Sequence, residues 1–582
     1  MIKLFRLLKP FRIPIVFVFV LVFLQSLANL YLPTLTADIV NNGIVKGDIN
    51  YILRVGGIML LVTIVGTICA VAASFYSARV AIGFGRMIRG KLFTHVGRFS
   101  LHEFDGVSTA SLITRTTNDT TQVQMVLVII LNMMISAPLM IIGGLILAFG
   151  QDAVLTLVLL IVMPILIAFI ILIMRTAIPL FRVVQSKLDK LNLILDEGLS
   201  GVRVIRAFDR IDHEKERFDE ANSDLRNVAI KVNRIVAFMM PMMMLVFNLT
   251  SIAILWFGSI RINNGDMQIG ALIAFLQYAT FILFSLLMLS MMFIMLPRAA
   301  ASADRINEVL AMEPEINDAA TVKDTDTEQG YVTFQHVTFS YPGAEEPALC
   351  DISFSARPGQ VTAIIGGTGS GKSTLISLIP RFYDVDSGSV LVDGVDVRDM
   401  SQEHLRAKIG FVPQKAVLFS GTIAQNIRFG KDHATDEEVR HAAEIAQATE
   451  FIDEMPSGFD SVIAQGGTNV SGGQKQRLSI ARALVRKPEI YLFDDSFSAL
   501  DFKTDARLRA ALKKETLDAT VLIVSQRVST VMDADQIIVL DDGRIAGIGN
   551  HRELMETSEI YYEIVSSQLS LEEIARVKSA QT

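Results

Sequence analysis

The chain has 582 residues, of which 51% are hydrophobic and 19% charged, with mean hydropathy +0.44, net charge -7 and a pI of about 5.7. So much apolar surface with so little charge excludes an ordinary soluble protein, and the acidic balance excludes a general nucleic-acid binder. The two cysteines, Cys69 and Cys350, fit no metal or disulfide framework and read as small buried hydrophobes.

In chain order, the first predicted elements are six apolar stretches at residues 13–32, 55–76, 126–149, 153–174, 235–257 and 269–296. Each is long enough to cross a hydrocarbon core about 30 Å thick. The first is expected to be a retained span, because no small-residue cleavage site follows it. Lys3, Arg6, Lys9 and Arg12 precede it. The loops after the second and fourth stretches are long and basic, carrying Arg79, Arg86, Arg89, Lys91 and Arg98, then Arg175, Arg182, Lys187 and Lys190. The other loops are short and carry few positive charges. Basic loops stay on the cytoplasmic side, so the N-terminus is expected in the cytoplasm of a multi-pass plasma-membrane protein.

Both long loops are expected to be helical. Leu191, Leu195 and Leu199 recur at helical spacing within 175–234, and 77–124 continues likewise despite Gly83, Gly85, Gly90 and Gly97. Spans that overrun the bilayer can carry motion to whatever lies beneath. Residues 313–329 are polar and acidic and read as a linker. From Tyr331 on, short apolar strands at 361–365, 490–493, 520–524 and 536–540 alternate with helical segments, the pattern of a soluble α/β domain. The expected plan is a transmembrane domain at 1–310, a linker at 311–330, a nucleotide-binding domain at 331–570 and a tail at 571–582.

The strand at 361–365 runs directly into Gly366, Gly367, Thr368, Gly369, Ser370, Gly371, Lys372, Ser373 and Thr374, and a helical segment follows. This is a P-loop in its required context. The glycines let backbone N–H groups close around phosphates at the positive end of a helix. Lys372 would reach the β- and γ-phosphates of ATP, and Ser373 would ligate Mg²⁺. The apolar strand at 490–493 ends in Asp494, which would hold the same Mg²⁺ through water. Further on, Ser471, Gly472, Gly473 and Gln474 open a helix with no bulky side chain at its start, a second place for an anion.

With these motifs together the chain resembles the ABC transporters, over its whole length. The resemblance implies an all-α membrane domain of six helices followed by an α/β P-loop ATPase domain. It implies that Tyr341 stacks on adenine, that Gln414 senses Mg²⁺ and contacts the membrane domain, and that Ser498 to Asp501 form the D-loop. Residues 104–119 and 197–208 are similar to the cytosolic loops of the exporter type. Such chains are half-transporters that dimerise, with ATP held between the P-loop of one and the Ser471–Gln474 signature of the other. Alternating access follows closure of the nucleotide domains, transmitted by the long helices near 118–124 and 207–213.

Three positions depart from the family pattern. Asp495 stands where Glu polarises the attacking water; it is one methylene shorter, so its carboxylate retreats by about 1.5 Å. Gln526 stands where His contacts the γ-phosphate; it donates a hydrogen bond but carries no charge. Gln465 replaces a Glu ahead of the signature. Two readings remain open. In one, the chain forms a slow symmetric homodimer. In the other, Asp495 and Gln526 degrade only the site on this chain's own P-loop, and the signature, nearly intact with Val470 where Leu is usual, serves a competent site on a partner. That pattern resembles the degenerate-site subunit of bacterial heterodimeric multidrug exporters.

Met239, Met240, Met242, Met243, Met244, Met288, Met291, Met292 and Met295 crowd the fifth and sixth stretches. They read equally as an adaptable cavity for hydrophobic drugs or as packing and lipid contact. Asn248 and Gln277 lie within spans and could line such a cavity or bond between helices. Lipid or peptide export, and an ATP-gated channel or sensor, are the alternative functions.

Overall fold

The computed structural model describes residues 2–319, 321–323 and 330–569. The expected tail at 571–582, and part of the linker, lie outside them. The chain divides into two compact units, one of residues 1–97 with 109–312 and one of residues 98–108 with 313 onward.

The first unit is built on six long helices: α1 (Arg12–Asp38), α2 (Ile49–Val96), α3 (Thr120–Gln151), α4 (Ala153–Ser200), α5 (Ile211–Asn263) and α6 (Ile269–Ala311). All six are long and apolar enough to cross a membrane. Each outruns its apolar stretch. α2 runs unbroken through Gly83, Gly85 and Gly90 and ends only before Gly97, and α4 absorbs Pro179 and Gly198 and ends before Gly201. Glycine in a helix interior costs only about 1 kcal/mol, which long flanking turns outweigh.

Polar pairs fix the helices at both ends. Asp152 caps α4 by accepting from the N–H groups of Val154 and Leu155, and its other oxygen takes a 2.8 Å bond from Arg261 Nε of α5. Tyr278 of α6 and Thr34 of α1 share a 2.7 Å hydroxyl bond, and Asn41 accepts from the N–H of Gly270. At the far end a π-helical turn, Arg115–Asp119, leads into α3. It turns Asp119 into a buried site where Ser302 donates at 2.9 Å and the Arg305 guanidinium bonds both carboxylate oxygens.

α4 and α5 pack chiefly on each other. Along its apolar stretch α5 is left almost wholly uncovered. Beyond the apolar stretches, Leu191 and Ile194 pack with Ala221. Leu199, Val204 and Phe208 stay open, Phe208 at 74% exposure.

The second unit holds two main sheets. β1 (Val332–Phe339), β2 (Leu349–Ala356), β4 (Ser387–Val392) and β5 (Val395–Asp396) form an antiparallel sheet in the order β2-β1-β4-β5. The larger sheet has the order β12-β11-β3-β10-β9-β6. Its parallel strands are β3 (Val361–Gly366), β6 (Ile409–Val412), β9 (Ile490–Asp494), β10 (Thr520–Val524) and β11 (Gln536–Asp541), with β12 (Arg544–Gly549) antiparallel at one edge. A two-stranded ribbon of β7 (Gly421–Thr422) and β8 (Val462–Ile463) completes the strands among the described residues.

Strand residues alternate between the two faces, as the period of a strand demands. Ile364, Leu492, Leu522, Val524 and Ile538 face one core with helix α7 (Lys372–Leu378) and the antiparallel sheet. Tyr491, Phe493, Val521 and Ile523 face a second core with helix α8 (Gly472–Leu484) and with Leu508 and Leu512 of α9 (Phe502–Glu515). Ala363, Ile365, Ile537 and Val539 face a third, with α10 (Val528–Val531) and α11 (Glu559–Gln568). Sequence reading named the buried strands β3, β9, β10 and β11. It passed over the short buried strand β6, and β1, β2 and β4, whose faces are less uniformly apolar.

Candidate functional site

Four loops leave the carboxyl edge of the parallel strands side by side, where open α/β sheets bind ligands. β3 leads into the loop before α7, β9 ends on Asp494, Ser525 and Gln526 follow β10, and Pro413 and Gln414 follow β6. The register keeps them level: Val524 pairs with Ile364 on one side and Asp494 on the other, and Val412 pairs with Phe493. The N–H of Asp495 extends the ladder to the Val524 carbonyl at 3.0 Å.

The loop of 366–371 depends on glycine at two places. A Cβ at Gly366 would lie 2.2 Å from the Leu540 carbonyl oxygen. Gly371, which begins α7, has φ +93° and would meet the Ala348 carbonyl at 2.8 Å. Gly367, Thr368 and Gly369 are open to solvent, whereas Ser370 is buried.

Lys372 is buried and donates to the Gly366 carbonyl at 3.0 Å, the Gly367 carbonyl at 2.5 Å and Ser370 Oγ at 3.3 Å. Burial pulls its pKa down, and the charges of Asp495 and Asp494 oppose that. A cation curled within the loop it serves is an anion cradle. Ser373 Oγ donates to Asp494 Oδ1 at 2.9 Å. A hydroxyl and a carboxylate in contact are the hard oxygen donors that suit Mg²⁺. Burial, and the neighbouring charge of Asp495, push the Asp494 carboxyl up, while Ser373 holds it down. A divalent cation there would relieve that cost.

Asp495 is buried with φ +43°. Asp is among the few side chains that tolerate this left-handed region. The strained turn aims the side chain at the same edge. Its Oδ1 has no hydrogen-bond partner among the described residues. Burial raises its pKa; contacts from Ser498, Gln414 and the backbone N–H of Gln526, and the charge of Arg527, oppose the rise. The structure therefore brings Asp495, Gln526 and Gln414 together, with Gln414 at Asp495. The Tyr341 hydroxyl shares a 2.9 Å bond with Thr374 Oγ1, and its ring meets Phe339 and Tyr383 edge-on, so it is fixed beside α7.

Ser471 and Gln474 sit elsewhere, with Ser471 exposed at the surface. They form a reciprocal capping box at the start of α8: Gln474 N–H donates to Ser471 Oγ at 3.3 Å and Ser471 N–H to Gln474 Oε1 at 2.8 Å. Gly472 is open on its surface, and a Cβ at Gly473 would stand 3.1 Å from the Ala499 carbonyl, so the signature rests against the D-loop. Sequence reading missed Arg527. Its guanidinium bonds the carbonyls of Ser498, at 2.6 Å, and Leu500, tying the loop of Gln526 to the D-loop. Only its adjacency to Gln526 could have flagged it.

Residues 15–287 match the family described as ABC transporter transmembrane region, and residues 349–498 the family described as ABC transporter. The chain is 44% identical over 565 residues to an uncharacterized ABC transporter ATP-binding protein of Mycobacterium tuberculosis (strain CDC 1551 / Oshkosh), covering 96% of this chain and 97% of that protein. It is 30% identical over 569 residues to the ATP-dependent lipid A-core flippase of Desulfotalea psychrophila (strain LSv54 / DSM 12343), covering 97% and 99%. A solved bacterial Atm1-family ABC exporter with ATP bound aligns with TM-score 0.81 at 25% identity, covering 96% of this chain and 98% of that one.

Proposed function

The chain belongs to the ABC transporter family, and on that premise we propose that it is the degenerate-site half of a heterodimeric exporter of hydrophobic or amphipathic compounds. As a membrane ATPase of exporter type it couples ATP hydrolysis to transport. Its own P-loop, with Asp495 and Gln526 beside it, holds Mg²⁺–ATP and turns it over slowly. Its Ser471–Gln474 signature completes the faster site on the partner chain.

One observation carries the reading. The departures at Asp495 and Gln526 meet at one place, where the backbone N–H of Gln526 helps hold the Asp495 carboxyl down against burial, whereas the signature keeps its full capping box. Loss at one site with retention at the other is division of labour. The second chain is further supported by the uncovered Leu199, Val204 and Phe208 beyond the apolar stretches of α4 and α5. An apolar surface there calls for a protein partner. The basic loops support a plasma-membrane protein with its N-terminus and ATPase domain in the cytoplasm.

The cargo reading rests on two apolar cavities of the membrane unit. One, of about 260 Å³, is lined by Met240, Met243, Met244, Phe247 and Phe284 among others; the other, of about 550 Å³, by Met174, Ile170 and Leu286 among others. Met239, Met242 and Met288 are not on either lining, nor are Asn248 and Gln277. A relative that carries the name of a lipid A-core flippase favours a second reading, in which the amphipathic cargo is a lipid and two copies of this chain suffice.

The test is ATP turnover by the purified chain in liposomes, alone and with a second half-exporter carrying Glu and His at the positions of Asp495 and Gln526. The heterodimer reading expects little turnover alone and a large gain with the partner. Full, cargo-stimulated turnover by the single chain would establish the homodimer instead.

A further inference from the structure

The loop that carries Gln526 is held from behind by α11, the last helix among the described residues. Tyr561 and Val565 of α11 are fully buried in the same core as Val528 and Val531 of α10 and Ile365 of β3. The Tyr561 hydroxyl is also bonded to His551 Nδ1 at 2.7 Å, which fixes the helix along its length. In its final turn α11 presents Gln568, whose side chain is exposed and packs on little. What that side chain does is polar. Its Nε2 donates to the Gln526 carbonyl at 2.7 Å, and its Oε1 accepts from the Val528 N–H at 2.9 Å.

One primary amide thus pairs with two backbone groups two residues apart, as a neighbouring strand would. Both distances are near ideal. Two bonds from one planar group fix the backbone from Gln526 to Val528 far better than one bond would. On the other side of the loop, the backbone N–H of Gln526 helps keep the Asp495 carboxyl ionised against burial. Arg527, one residue on, is pinned by its guanidinium to the D-loop carbonyls of Ser498 and Leu500.

We propose that Gln568 is a positioning residue of the nucleotide site: by clasping the Gln526 carbonyl and the Val528 N–H it sets the direction of the Gln526 side chain against the terminal phosphate, and makes helix α11 part of the ATP machinery. The proposal rests on the reading of Gln526 as the residue that meets that phosphate. It follows that any event which unseats α11, by truncation or by a bound partner, shortens the dwell of ATP on this P-loop without touching the P-loop itself.

The experiment measures release of radiolabelled ATP, in Mg²⁺, from the full-length chain after dilution into unlabelled ATP. Q568A, Q526A and the double variant are compared, each with its thermal unfolding midpoint. Losing a clasp of this kind is expected to speed release by about tenfold, with the unfolding midpoint unchanged because Gln568 contributes little packing. In the Q526A background the Q568A change is expected to add nothing, since its effect passes through the missing side chain. Full additivity in the double variant overturns the proposal, because Gln568 then acts elsewhere. Fast release from Q526A with normal release from Q568A overturns it while leaving the Gln526 reading intact. Normal release from both overturns the Gln526 reading and the proposal with it.

Discussion

Ser373 Oγ donates a 2.9 Å hydrogen bond to Oδ1 of Asp494, although the two residues stand 121 positions apart in the chain. The contact joins the first turn of α7 to the end of β9 and defines where a divalent cation would sit. Asp494 is buried, and burial and the Asp495 charge raise its pKa, so the pair is built to receive positive charge.

Ser373→Ala should therefore separate the metal from the nucleotide. Binding of ATP without Mg²⁺ is expected to change little. The gain in affinity that Mg²⁺ brings should shrink by about tenfold, one charge-assisted contact. Lys372→Ala removes the buried cation itself and should weaken ATP by about tenfold to a hundredfold with or without Mg²⁺. Fluorescent-nucleotide titrations with Mg²⁺ and with a chelator check both.

The two departures at Asp495 and Gln526 give a gain-of-function prediction. If slow turnover comes from reach and charge, D495E with Q526H should raise ATP turnover of the single chain by up to about 100-fold, the scale of a misplacement near 1 Å. The gain should appear chiefly in kcat rather than in KM for ATP, because the P-loop and Lys372 are unchanged and His at 526 can still donate to the terminal phosphate. The left-handed backbone at Asp495, φ +43°, favours Asp over Glu and will cap the gain below that figure. Steady-state kinetics of the double variant check the expectation.

How much of this was legible in the chain follows from how local each signal is. The P-loop is nine consecutive residues between a strand and a helix, so Gly366 to Thr374 could be read directly. Asp494 could be read because an uninterrupted apolar run ends on it. The clasp of Gln568 on Gln526 spans 42 positions, and the bond of Ser302 to Asp119 spans 183. Neither leaves a periodic trace, because tertiary pairing of single polar residues has no spacing rule. The length of α2 was legible only in part, since four glycines argue against a helix that packing nevertheless completes. The methionines illustrate the reverse: composition marked α5 and α6, but only geometry separates Met240, Met243 and Met244, which line a cavity, from Met239 and Met242, which do not.

The Asp119 site offers a stability prediction. Asp119 is buried, and Arg305 and Ser302 converge on it from α6. Asp119→Asn keeps the volume and one acceptor but discards the charge that Arg305 answers. The cost should be about 1–3 kcal/mol, since Arg305 is half exposed and can recover water. R305Q should cost a similar amount, and the double variant much less than the sum, because each single change already breaks the shared network. Unfolding midpoints in detergent for the three variants supply the cycle.

His551 gives the nucleotide-binding half a defined response to acid. Its ring is buried, its Nδ1 bonds the Tyr561 hydroxyl, and burial holds its pKa below the ordinary 6.5, with the charge of Asp533 opposing. A base whose folded pKa is depressed stays neutral in the fold while the unfolded chain takes up a proton near pH 6.5. Above that value neither state is charged and His551 has no pH-dependent effect. As the pH falls below it, the unfolded chain binds the proton first, so stability is lost progressively until the folded pKa is passed. His551→Gln can still hydrogen-bond Tyr561 but cannot titrate. The unfolding midpoint of the full-length protein should therefore drop as the pH falls below about 6.5, and H551Q should flatten that drop. The same acid range should loosen α11, which Tyr561 anchors. Hydrogen exchange over residues 559–568, corrected for its intrinsic pH dependence, should rise in the parent chain and stay level in the variant. A parallel rise in both would assign the acid response to another group.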